Sequence, residues 1–528
     1  MSSRELPARP NLEHLKKQAK QLLREYVQGE AAAIARFRDA EVSFAKSAPR
    51  LAGALRVLAR EYGFENWTKL KAHVLTLCDQ PIAALQAAIK ANDASLVRIV
   101  LARHPALKTQ LDEPLPNYGF DTPALIAAAQ RNNREMIDAL LDAGANINAR
   151  TNWWAGSFGV LDVAIPELTP YLIERGAYID AHAAARLGMF ERLRELVAAN
   201  PALVHARGGD GQTPLHFAAT IEIAAYLLEH GAAIDARCLD HESTPAQYMA
   251  AHCPRRPEVA RYLIARGAQT DILMAAALGD PQLVQRHLEN DPQSIWMSVT
   301  QKDFRKHDPR SAGIIYIYCF GWGTTPHMLA REFGHEDVFR LLVERSPLDL
   351  RLAQAIELGD EHLARELLAQ HPNLIRALSP NVRGRLVGAA RRNETRAVSM
   401  MLTLGWPARA LDENHQTALH WAAFHGNAEM VRELLRHYAP LDAQELEFKG
   451  TPVGWALYGS KNGWHRSTGD YVASVEALLA AGAKAPQLTD DLEASEEVVA
   501  ALRRQVAPAR PEPRRASLPA SAPGRGRL

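Results

Sequence analysis

Short apolar clusters recur at helical spacing along most of the chain, and polar turns punctuate them at intervals of roughly 27 to 50 residues. The clearest instance begins Asp210-Gly211-Gln212-Thr213-Pro214-Leu215-His216-Phe217-Ala218-Ala219. Thr213 can cap a helix, and Pro214 at its first position gives up only an N–H that was free anyway. Leu215, Ala218 and Ala219 make a narrow apolar stripe against which a neighbouring helix can pack closely. Leu227 and Leu228 stud a second helix, which Gly231 can end in the left-handed conformation. The pattern therefore predicts a pair of short helices joined to the next pair by a turn.

The unit repeats. Thr417-Ala418-Leu419-His420-Trp421-Ala422-Ala423 matches almost residue for residue, with Met430-Val431-Arg432-Glu433-Leu434-Leu435 as its second helix. Looser starts lie at Thr122-Pro123, Thr244-Pro245, Thr325-Pro326 and Thr451-Pro452. The ending recurs at Ala143-Gly144-Ala145, Arg175-Gly176-Ala177 and Arg266-Gly267-Ala268. These segments resemble the ankyrin repeat, whose signature is Thr-Pro-Leu-His-x-Ala with a period near 33 residues. The resemblance spans roughly residues 82–486. It implies an all-α ankyrin-repeat solenoid of about twelve helix pairs with hairpin fingers between repeats. It also implies that His216 and His420 hydrogen-bond backbone between repeats.

Residues 1–80 show no repeat. Asn11 precedes a helical pattern through Leu12, Leu15, Ala19, Leu22 and Leu23, followed by helices near 31–38, 54–62 and 66–74. A helical module capping the array is expected, since the end repeats of a solenoid must be covered. Leader and repeats together resemble bacterial ankyrin-repeat proteins. Within the array a second flavour of repeat lacks the Thr-Pro start and ends in a polar residue and proline: His104-Pro105, Asn200-Pro201, Asp291-Pro292 and His371-Pro372. Each proline stops the second helix, because the residue before it is pushed out of helical geometry. Three interruptions are visible. Residues 151–159 and the long insertion 296–323 occupy finger positions, and 459–470 lies between the two helices of the last repeat. The run Ile314-Ile315-Tyr316-Ile317-Tyr318-Cys319-Phe320 predicts a strand, pairing with 296–300. A capping helix is expected over 487–505, started by Thr489-Asp490-Asp491. The tail 506–528, with five prolines and five arginines, is expected to be disordered.

The formal charge of +1 hides a gradient: residues 1–75 carry 14 Lys/Arg against 8 Asp/Glu, and 506–528 carry 5 against 1. An acidic array with basic ends does not suit a nucleic-acid binder. No window carries the apolar run of a membrane span, and the N-terminus shows no secretory pattern, so a cytoplasmic monomer without membrane contact is expected. Cys78, Cys238, Cys253 and Cys319 lack metal or disulfide spacing. No zinc, phosphate-loop or nucleophile-elbow motif is present, so neither catalytic residues, cofactor nor metal is expected.

The expected function is protein–protein interaction through the concave and finger surface of the array, with an unidentified protein partner. Candidate anchors are Trp153, Trp154, Tyr316, Tyr318 and Trp322, aromatics in finger regions outside the motif core. Trp464, His465, Arg466 and Asp470 form a secondary candidate surface, set apart from the fingers. Two alternatives stay open: an enzyme or small-molecule sensor built on the Trp464–Asp470 insertion, and an effector delivered into a host cell.

Overall fold

The structure, a computed structural model, describes residues 4–7, 10–40, 51–77, 80–487 and 492–506. It is all-α: among the described residues there are helices and three isolated β-bridges but no strand. The expected tail lies almost wholly outside the described residues, as do Thr489-Asp490-Asp491 and Cys78.

Four helices make the leader: α1 (Leu12–Val27), α2 (Ala31–Asp39), α3 (Leu51–Glu61) and α4 (Trp67–Leu77). Asn11 caps α1, its side chain accepting the Glu13 and His14 N–H groups at 2.8 and 3.1 Å. Leu15, Leu22, Phe37, Val57, Leu58, Leu70 and Val74 bury one another in a core of their own. α4 has a second apolar face. Ala72 and Leu75 join the core of the array, beside Leu85 and Ala88 of α5 (Pro81–Lys90). One helix thus serves two cores.

From α5 to Tyr471–Ala480 the chain makes twelve successive helix pairs. The proline-ended repeats behave as their sequence predicts: helices stop at Arg103, Ala199 and Asn290, and the prolines that follow open 3₁₀ turns. The 210–231 repeat departs from expectation. Its first helix is only the 3₁₀ turn Pro214–Phe217, after which Ala218 leaves helical geometry. Three fewer residues separate Thr213 from Gly231 than separate the equivalent Thr417 and Tyr438, so no room is left for a full helix before Thr220 caps the next one. The final helix, Glu496–Val506, buries Val498, Ala501 and Leu502, and the Ser495 N–H donates to Ser460 Oγ at 2.8 Å.

The chain divides into two compact units: residues 1–270 with 305–319, and 271–304 with 320–528. The insertion expected as one piece over 296–323 is therefore shared. The expected strand is absent as well. Residues 316–319 are a turn of helix, and the Ile315 N–H is taken by Ser243 Oγ at 3.0 Å rather than by a strand partner. Val299 instead exchanges hydrogen bonds with Gly323 and Thr324, at 2.9 and 3.0 Å.

Candidate partner-binding site

In the first unit, four segments distant in sequence stack finger upon finger. The 151–158 hairpin is closed by Thr151 and Phe158, whose N–H groups donate to the Phe158 carbonyl and to Thr151 Oγ, both at 2.9 Å. Gly156, at φ +148°, lies so close to the next finger that a Cβ would sit 1.9 Å from the Gly208 carbonyl oxygen. Gly209 in turn makes way for the Phe158 ring. Only glycines permit this backbone-on-backbone approach. One finger on, the Asp210 carbonyl accepts the N–H groups of Leu239 and Asp240 at 2.8 and 3.1 Å.

The 305–319 segment completes the ladder. The Glu242 carboxylate accepts the His307 and Asp308 N–H groups at 2.8–2.9 Å, and the Asp240 carbonyl accepts Ala312 N–H and the Ser311 hydroxyl. At the centre, His241 Nδ1 lies 3.0 Å from the Gly313 carbonyl, which can only accept, so Nδ1 carries a proton. Nε2 then faces Asp210 and Asp240 at 3.7 and 3.6 Å. Burial raises the Asp210 carboxyl to about 6; the charge of Asp240 pushes the same way and His241 opposes it. The facing atoms of Asp210, Asp240 and His241 lie within 4.8 Å of one another, a set able to hold a metal ion among the described residues.

On this base sit three of the expected anchors. Trp153 packs edge-on to Phe120 at 4.8 Å and to Trp154 at 6.0 Å. Arg310, fixed by Asp308, lies over the Trp154 ring at 4.4 Å. Tyr318 rests against His241 at 5.0 Å and remains 60% exposed. Tyr316 corrects the expectation: it is fully buried in the core, because a helical turn, unlike a strand, places positions two apart on different sides. It is not available to a partner.

Trp322 lies in the second unit. Its ring covers the Arg391 guanidinium at 3.8 Å, and Trp421 covers it from a second direction at 4.4 Å. Trp464, 63% exposed, stacks on Trp421 at 6.0 Å, with planes 21° apart. Within this unit Trp322, Arg391, Trp421 and Trp464 form one line of stacked groups, which passes through the buried Trp421. The 463–470 insertion folds back along the Phe424–His425 backbone, which Gly459 and Gly469 let it approach. His465 meets His425 edge-on at 5.1 Å. Among the described residues no ion pair or hydrogen bond joins His465 to Asp470. The Asp470 carboxylate caps the last helix of the array by accepting the Ala473 N–H at 3.0 Å, and Arg466 donates weakly to the Gly463 carbonyl.

The motif histidines do what the resemblance implies. His216 Nδ1 faces the Thr213 N–H and hydroxyl at 3.1 and 3.0 Å, and Nε2 meets the Ser243 carbonyl of the next repeat at 3.1 Å. His420 repeats the arrangement with Thr417 and Gly450. Burial lowers His216 to about 3 and lowers His420 as well.

Sequence reasoning missed the Asp210–Asp240–His241 cluster and the Arg391 stack. The thirty-residue spacing of Asp210 and Asp240, equal to one repeat, was the available signal for the first. Arginine near a helix end gave none for the second.

A helical array of this construction is a repeat protein. Three matches to the ankyrin-repeats family model fall at residues 181–273, 352–446 and 386–485, the last two overlapping, and a single-repeat ankyrin model matches residues 121–152. The chain therefore carries ankyrin repeats, in an all-α solenoid. It is also similar to the palmitoyltransferase Hip14 of Drosophila melanogaster, 30% identical over 125 residues. That stretch is 24% of this chain, and it spans only 18% of the curated relative. Among the described residues no helix is long and apolar enough to cross a membrane.

Proposed function

We propose that the chain is a non-catalytic protein-interaction module that takes a protein partner on the finger ridge of its first unit. The carrying observation is Tyr318, a mostly exposed aromatic held against His241 on a base of interlocked finger backbones. An aromatic pre-positioned in this way gains contact area with little ordering cost, which is the character of an interface anchor. Trp154, half-buried under Arg310, is the second anchor. The finger surface of an ankyrin array is a site the family commonly uses for partners, so the repeats support the same reading. The leader and the Glu496–Val506 helix act as the two end caps, and the module works as a cytoplasmic monomer of bacterial type. The transferase activity named for the Drosophila relative is not carried over, since so little of that protein is matched.

Affinity purification from the native source, followed by binding measurements on Tyr318→Ala and Trp154→Ala, tests the proposal. Each variant is expected to weaken partner binding by about 1–4 kcal/mol with melting nearly unchanged for Tyr318→Ala. Unaltered partner recovery by both variants refutes the ridge as the site.

A further inference from the structure

Arg391 is a largely buried charge in the second unit whose opposing charges, Asp412 and Glu413, act on it without a hydrogen bond. Its guanidinium carries five N–H donors, and no side chain or carbonyl among the described residues accepts any of them. Nε is sealed from solvent and without a hydrogen-bond partner. Among the described residues no carboxylate lies within ion-pair distance, and Asp412 and Glu413 act on it only from further off. Its immediate neighbour shows what a satisfied arginine looks like here: Arg392 Nη2 donates to Glu357 at 3.0 Å and its Nε to Glu394 at 2.8 Å. Arg385 comes between the two cases. Among the described residues it has one long 3.6 Å ion pair, to Glu357, a carboxylate already shared with Arg392, and no hydrogen bond.

Arg385 and Arg391 both line a cavity of about 350 Å³, together with Trp296, Trp322, Lys302 and Asp412. That volume is in the range of pockets that hold small ligands. The indoles of Trp322 and Trp421 cover the guanidinium and restrict its motion, which leaves its N–H edge as the polar part on offer. Burial lowers Arg391 to about 10, still far above neutrality, so the charge persists. A buried charge without a partner is costly, and a planar fork of donors matches a planar pair of oxygens.

The other wall limits how much negative charge can enter. Asp303, Asp412 and Glu413 line the same cavity. Asp303 is occupied with the Ser298 N–H and the Thr300 hydroxyl, at 2.9 and 3.2 Å, and Asp412 accepts the Asn414 and Gln416 N–H groups at 3.0 and 2.8 Å. Their remaining charge disfavours a dianion while tolerating a monoanion.

We propose that this cavity is a binding site for a carboxylate, held bidentately by Arg391 with Arg385 behind it and an apolar body against Trp296 and Trp322. The site is distinct from the finger ridge and does not depend on it. The carboxylate belongs either to a free small acid or to the end of a peptide chain.

Isothermal titration of the full chain with sodium benzoate, inorganic phosphate, and one short peptide in free-acid and amidated forms tests this. Benzoate or the free-acid peptide is expected to bind, the amidated peptide and phosphate to bind at least about tenfold more weakly. Binding by benzoate alone marks a small acid as the natural occupant, and preference for the free-acid peptide marks a chain terminus. Arg391→Gln and Arg391→Lys are both expected to lose about tenfold or more, because lysine keeps the charge but not the fork. In the unaltered protein the side-chain Nε resonance of Arg391 should shift on adding the bound acid, a readout that does not depend on a variant folding. Phosphate binding as tight as the acids, no binding by either acid, or variants that bind like the wild type each overturn the proposal.

Discussion

Replacing His216 by Gln should turn a pH-sensitive joint into an insensitive one. The ring is buried and held as the Nε2–H tautomer, since Nε2 must donate to the Ser243 carbonyl while Nδ1 receives the Thr213 N–H. Protonation would set an N–H against an N–H in a buried site. Its pKa is accordingly pushed to about 3 by burial, with the charge of Arg207 acting in the same direction. A histidine whose folded pKa lies below its unfolded value of about 6.5 binds its proton more readily unfolded, so its stability is complete above that pH and falls away towards about 3. Between pH 7 and pH 5 the loss is about 2 kcal/mol. Asp210, raised to about 6, works in the opposite sense below that pH, so the wild-type curve alone does not isolate the histidine. The variant does. Glutamine already occupies the corresponding position of the next repeat, where Gln247 Oε1 accepts the Thr244 N–H at 3.0 Å. The variant thus keeps the cap and loses the bridge to Ser243, worth about 1–2 kcal/mol at pH 7. The wild type should be the more stable protein at pH 7, and the two should meet or cross between pH 6 and pH 5. Hydrogen–deuterium exchange on peptides from Ile221–Glu229, corrected for intrinsic rates, reads the difference in the first unit alone. A wild-type advantage that stays constant or grows from pH 7 to pH 5 refutes the argument.

Two other substitutions probe packing. Gly459→Ala would place a Cβ 2.4 Å from the Phe424 carbonyl oxygen and should cost about 1–3 kcal/mol in thermal melting. Gly454→Ala in the same helix meets nothing closer than 3.7 Å and should be neutral or gain up to about 1 kcal/mol; equal losses would mean the close approach is not what Gly459 provides. Leu75→Ala should cost about 2–4 kcal/mol and speed amide exchange in 81–103, whereas loss confined to α1–α3 would show that α4 does not bind the leader to the array.

What the sequence made legible was local chemistry. A cap, a helix-start proline, a histidine three residues past the cap and a left-handed ending all sit within about twenty residues, so the helix pairs and the roles of His216 and His420 could be read directly. The finger ladder could not. Glu242 meets His307 and Asp308 across 65 and 66 residues, and no periodicity points to such a pairing. The aromatic run at 314–320 misled for a related reason. Its composition favours a strand, but the buried polar groups of residues 240–243 claim its backbone first and turn it into a helix. Tyr318 consequently keeps the exposure expected of an anchor while Tyr316 loses it. The path of 463–470 along the Phe424–His425 backbone was not legible either, because it depends on Gly459 and Gly469, whose spacing resembles no motif.

The line of stacked rings in the second unit also gives the molecule an optical property. Of the chain's nine tryptophans, six lie between Trp296 and Trp464. Trp421 stands 5.0 Å from Trp455 and 6.0 Å from Trp464, so these indoles pass excitation among themselves rather than emitting independently. Trp153 and Trp154 form a second such pair at 6.0 Å, and Trp67 stands in the leader. The anisotropy of emission from the second unit is thus lowered by energy migration along the line. The second unit carries a built-in fluorophore array that reports on its packing without a label.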